Sequence, residues 1–158
     1  MEFLSDWELV GRLVLAALLG FSIGLEREIR GQAAGERTHA LVALGAAAFA
    51  LISGRAFPGG DTARVAAGVV TGIGFLGAGM ILKKEGVRIE GLTTAAGIWA
   101  VGAIGLAIGA GMYLLGIVAA VLVGLILAAE SVLKLDKRLE RRRAKERKEK
   151  PQGPIPFD

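Results

Sequence analysis

The chain of 158 residues is 53% hydrophobic, holds 24 glycines and no cysteine, and carries a formal net charge of +4. It is too apolar and too glycine-rich for one water-soluble domain, and it excludes disulfide frameworks, thiolate chemistry and cysteine-based metal sites. Ten of the nineteen Lys and Arg lie within residues 134–150, so the positive balance reports a tail, and no nucleic-acid partner is expected.

A hydrocarbon core ~30 Å thick needs about 20 apolar residues in a helix rising 1.5 Å per residue. Five stretches of roughly that length follow one another, at 7–25, 38–53, 63–82, 92–109 and 112–129. They predict an all-α polytopic membrane protein, a five-transmembrane-helix bundle over 7–130 behind a short outer segment 1–6, with the lipid bilayer as first partner. Glu2, Asp6 and Glu8 replace a positive leader region, and no cleaved signal peptide is expected. Ser5 precedes Glu8 at capping-box spacing. Trp7 is placed at headgroup level, and Arg12, one turn inside, is expected to snorkel outward, with an inward-facing side chain as the alternative. Asp61 is read as the cap of the third stretch. Only Gly109 to Met112 separates the last two stretches, which forces an antiparallel hairpin. Residues 131–150 read as a basic helix held at anionic headgroups, and Pro151, Pro154 and Pro156 predict a disordered tail at 151–158.

Lys and Arg in short connectors favour the cytoplasmic side. Arg27, Arg30 and Arg37, then Lys83, Lys84 and Arg88, then the tail fall on one side, against Arg55 and Arg64 on the other. The expected orientation is N-terminus outside and C-terminus cytoplasmic.

Lipid tails are as apolar as leucine, so membrane helices associate through close backbone contact at small residues. Period-four stripes recur at Ala16, Gly20 and Gly24, at Gly68 and Gly72, at Ala103, Ala107 and Gly111 beside Gly105 and Gly109, and at Gly116, Ala120, Gly124 and Ala128. One stripe per helix serves a compact bundle; the second on the fourth stretch leaves room for self-association or a partner helix.

The string Gly72-Ile73-Gly74-Phe75-Leu76-Gly77 matches a dinucleotide fingerprint, but it sits inside an apolar run without the strand, helix and acidic residue that the fingerprint requires. Gly79 extends the string, and a broken or kinked helix lining a cavity is the expectation. Glu26 and Arg27 end the first stretch, Arg37, Thr38 and His39 begin the second, and Glu90, Thr93 and Thr94 precede or begin the fourth. They gather on one side as a candidate polar cluster, Glu26 pairing with Arg30 or Arg37, either as a structural cap or as a functional site. One histidine and no cysteine leave no multi-histidine or cysteine metal site, and no nucleophile stands out, so neither enzyme activity nor a cofactor is expected.

Gly24-Leu25-Glu26-Arg27-Glu28, Arg37-Thr38-His39-Ala40-Leu41-Val42, the glycine string from Gly72 to Gly79, and Gly91-Leu92-Thr93-Thr94-Ala95-Ala96 with Trp99 resemble, in order and spacing, the signature series of the MgtC/SapB membrane proteins. The resemblance implies a bacterial inner-membrane protein with an outside N-terminus. It also implies a link to magnesium acquisition and regulation of other membrane proteins, the ATP synthase among them. The chain departs from the pattern at Glu36, where the family more often has an apolar residue, and it carries a basic tail where many members have a cytoplasmic domain. The expected function is modulation of ion homeostasis, Mg2+ included, by helix contacts with itself or a membrane partner. The alternative is an ion or small-solute conduit with the polar cluster at its cytoplasmic mouth.

Overall fold

Apolar runs closed by short capping residues set the helix limits. In a computed structural model that describes residues 5–57, 59–83 and 89–129, α1 runs Asp6–Ile29, α2 Glu36–Ala56, α3 Thr62–Gly79 and α4 Leu92–Gly109, and α5 runs Tyr113–Ala129. The expected basic helix and tail lie outside the described residues, as do Lys84 and Arg88. The chain divides into two compact units, Met1–Gly124 and Leu125–Asp158, and all packing described below belongs to the first. Helices α1 to α4 are each long and apolar enough to cross a membrane, and α5 is a shorter apolar helix. The protein is a multi-pass membrane protein.

Ser5 Oγ accepts from the Glu8 N–H at 3.3 Å, and Asp61 Oδ1 accepts from the Ala63 N–H at 2.9 Å, so both expected caps form. Helix α1 ends at left-handed Gly31, φ 64°, where the Gln32 N–H reaches Arg27 O at 3.0 Å and the Gly31 N–H reaches Glu28 O at 2.9 Å. Gly111, φ 81°, ends α4 in the same way, with Met112 N–H to Ala107 O at 2.8 Å and Gly111 N–H to Ile108 O at 3.0 Å. These paired bonds satisfy the last carbonyls of each helix and turn the chain sharply.

Where backbones touch, glycine makes the contact. A methyl group on Gly20 would lie 2.5 Å from His39 O, and one on Gly24 would lie 2.5 Å from Glu36 Cα, so α1 runs antiparallel to α2. Gly105 abuts the Ala43 backbone and Gly109 that of Ala47, so α4 runs parallel to α2. Helix α4 packs on α1, α2 and α3. These neighbours cover the stripe of Gly105 and Gly109, whereas the other stripe is covered at Ala107 and exposed at Ala103.

The third stretch departs from expectation twice. Helix α3 is unbroken through Gly68, Gly72, Gly74 and Gly77, because an apolar surrounding offers its backbone no competing partner. It also ends at Gly79 and not at residue 82: Leu82–Lys83 (β1) pairs antiparallel with Ile89–Glu90 (β2). Gly91 closes this small hairpin at φ 92°, with its α-carbon against Met80 O. Gly91→Ala adds the left-handed penalty of about 1–2 kcal/mol to a clash with that carbonyl. A melting temperature in detergent lowered by several degrees is the expected result.

Candidate functional site

The buried face of α1 is a single seam of Arg12, Ala16, Gly20, Ile23, Gly24 and Arg27. Fifteen residues of helix separate its two arginines, about 22 Å at 1.5 Å per residue, and each anchors a polar cluster. The ends of α1, α2 and α4 that meet around Arg27 form the first.

There, Arg27 is 2% exposed and His39 1%. Antiparallel packing at Gly24 brings the last turn of α1 beside the first turn of α2, where Glu36 and His39 lie three residues apart on one side of the helix. His39 Nδ1 lies 2.9 Å from Gly35 O. A ring N–H donated there leaves Nε2 as an acceptor, and Nε2 is buried without a hydrogen bond. Arg30 Nε stands 2.6 Å from Glu26 Oε1, and Arg27 Nη1 stands 3.7 Å from Oε2. These are ion-pair contacts without hydrogen-bond geometry, and both Glu26 oxygens are buried without a hydrogen bond, as are Glu36 Oε2 and Arg27 Nη2. The carboxylates of Glu26 and Glu36 are balanced by the arginines beside them, Arg27 and Arg30 at Glu26 and Arg37 at Glu36. Among the described residues, no three His, Asp or Glu stand close enough to hold a metal ion directly.

The other expected members of the cluster are distributed unevenly. Thr94 is buried, Thr38 half-buried, and Thr93 and Glu90 exposed. Of the two expected pairings, Glu26 takes Arg30; the Arg37 side chain is 92% exposed and stands 3.7 Å from Glu36. Trp99 faces outward, half exposed. Gly77 packs near Ala95, whereas Gly72, Gly74 and Gly79 have open space over their α-carbons. Gly68 and Gly72 line an open apolar groove of about 680 Å³ between α2 and α3, together with Leu41, Gly45, Phe49 and Val65.

The second cluster overturns the expectation that Arg12 snorkels outward. Arg12 is buried and donates through Nε to the Tyr113 hydroxyl at 2.9 Å, through Nη1 to Gly109 O at 3.0 Å, and through Nη2 to Glu8 Oε1 at 2.7 Å. The Tyr113 hydroxyl donates to Glu8 Oε1 at 3.2 Å. Three partners inside the protein, one of them a carbonyl at the negative end of the α4 dipole, outweigh one contact at the headgroups. Sequence reasoning also passed over Glu36 as part of the first cluster, although its place three residues before His39 was a usable signal.

A family model described as the MgtC family matches residues 13–135. YhiD of Escherichia coli K12, whose name proposes magnesium transport, is 48% identical over 76% of this chain and 59% of its own length. Protein MgtC of Brucella abortus is 50% identical over 61% of the chain and 40% of its own length, and SrpB of Synechococcus elongatus is 44% identical over 72% and 70%. The chain therefore spans about three-fifths of the length of YhiD. No solved structure matches it. With a family match over most of its length and relatives of this similarity, the chain belongs to the MgtC family.

Proposed function

We propose that this is a non-enzymatic inner-membrane protein, its N-terminus outside and its C-terminus cytoplasmic, that modulates magnesium homeostasis through lateral helix contacts with a membrane partner or a second copy. The magnesium link rests on the name of YhiD. The regulatory reading rests on one observation, the tight apolar middle of the bundle: between the two polar ends, Ala16, Ala43, Ala47, Val101 and Ile104 are buried, and Gly20 and Gly105 meet the α2 backbone directly. An ion crossing there would lose its water without ligands to replace it, a cost that intramembrane sites offset with charged side chains or free carbonyls. The glycine-lined groove between α2 and α3 supports lateral contact, since small residues with open space above them let another backbone approach.

Proteoliposomes holding the full chain test the reading. Magnesium uptake at the level of empty vesicles is the expected outcome. Saturable uptake that Glu26→Gln or Thr94→Val abolishes would establish a conduit instead.

A further inference from the structure

We infer that the groove between α1 and α2, at the end of the bundle where α1 begins, holds one phospholipid, with an acyl chain along the groove and the headgroup phosphate on Arg55. The groove has a volume of about 390 Å³, and Leu9 and Leu13 of α1 and Ala48, Leu51, Ile52 and Arg55 of α2 line it. Arg55 is the one charged residue among the described residues of the lining, and it stands in the last turn of α2, at the mouth. A cation over an apolar slot matches the two parts of a phospholipid, an anionic phosphate and a hydrocarbon chain.

Depth selects a lipid chain over a helix. On α2 the lining runs from Ala48 to Ala56, the last residue of the helix, which is about 12 Å at 1.5 Å per residue. That stays within one leaflet, half of a hydrocarbon core ~30 Å thick, whereas a spanning helix would continue through both. The walls agree. Packed membrane helices favour small residues at their contact, and here three leucines and an isoleucine leave only Ala48 and Ala56 small. Trp7, two residues before Leu9, is 84% exposed and sets the mouth at the headgroup level where tryptophans concentrate.

The other charges at this end leave the phosphate room. Glu8 accepts from Arg12 and Tyr113, and Asp61 Oδ1 accepts from the Ala63 N–H. Asp6 and Arg64 are exposed and do not line the groove, so water and salt screen both. Arg55 is exposed and takes part in another interaction within the chain. A guanidinium carries five donors in a fork, and two parallel bonds to a phosphate use only part of them. The groove shares no lining residue with the one between α2 and α3, so a lipid here does not depend on the lateral contacts proposed above.

Native mass spectrometry of the full chain in mild detergent tests this, with phosphatidylethanolamine as probe and diacylglycerol of the same chains as comparison. One phosphatidylethanolamine per chain, held about tenfold more tightly than the diacylglycerol, is expected. Arg55→Gln should weaken the phospholipid about tenfold, the loss of a charge-assisted contact, and leave the diacylglycerol unchanged. Ala48→Leu, which fills the groove, should weaken both. Arg64→Gln removes an equal charge at the same end, outside the groove, and should change neither. Absence of bound lipid, equal retention of the two lipids, indifference to Arg55→Gln, or an equal loss from Arg64→Gln would overturn the site, the last by reducing it to the attraction of any lipid around a charged rim. A dimer that Ala48→Leu dissociates would give the groove to a second copy instead.

Discussion

Gly105→Ala should lower the stability of the folded protein by about 1–3 kcal/mol, the usual cost of overpacking, while Gly72→Ala should leave it unchanged or raise it by up to about 1 kcal/mol. Both changes add one methyl group to a glycine of a membrane helix, and helix propensity favours both equally. Surroundings decide the sign. A methyl on Gly105 would press on the Ala43 carbonyl group, which cannot move without shifting α2, whereas one on Gly72 meets nothing within 4 Å. Unfolding of each variant in mild detergent, read by circular dichroism, measures the contrast. Gly72→Leu extends the comparison, because it fills the α2–α3 groove without touching the α4 seam. If that groove receives another helix, Gly72→Leu should lower the mass of the detergent-solubilised assembly at unchanged monomer stability. Equal destabilisation by Gly105→Ala and Gly72→Ala would show that the seam does not hold the bundle together.

Much of this architecture is legible in local features. Length and hydropathy place the helices, Ser5 and Asp61 cap theirs, Glu26 meets Arg30 one turn away, and the stripes at Gly20 and Gly24 and at Gly105 and Gly109 mark the buried seams. Each depends on spacings of three or four residues. Glycine content alone misleads on α3: the same residues that suggested a broken helix form a continuous one in which Gly77 packs on Ala95 while Gly68, Gly72, Gly74 and Gly79 face open space, and sequence carries no mark of which side of a stripe is covered. Burial of His39 depends on Gly20 of another helix, and the place of Glu36 in the cluster depends on Gly24 doing the same. The polar types in the candidate site were therefore readable, and their unpartnered atoms were not. Arg12 is the extreme case, with Gly109 and Tyr113 separated from it by 97 and 101 residues.

Arg12→Ala is the second large effect, expected at about 3–5 kcal/mol, because it removes three hydrogen bonds from a charged donor, each worth roughly 1.5–3 kcal/mol and the one to Glu8 reduced by solvent. Loss of the guanidinium leaves the Glu8 carboxylate with only the Tyr113 hydroxyl and returns Gly109 O to the unpaired state of a helix C-terminus. The same substitution removes a cation 5.4 Å from the Tyr113 ring centroid. Arg12→Lys should recover only part of the loss, since one ammonium cannot aim three donors at an acid, a hydroxyl and a carbonyl in the fork geometry of arginine. A double-mutant cycle with Glu8→Gln isolates the ion pair from the rest. Glu8 is about one-third exposed, so solvent screens it, and the coupling should be near 1 kcal/mol, well below the full cost of Arg12→Ala. Most of the clamp would then reside in the bonds to Gly109 and Tyr113, the two that fasten α1 to the α4–α5 turn. Coupling equal to the whole Arg12→Ala effect would instead reduce the clamp to a local contact within α1.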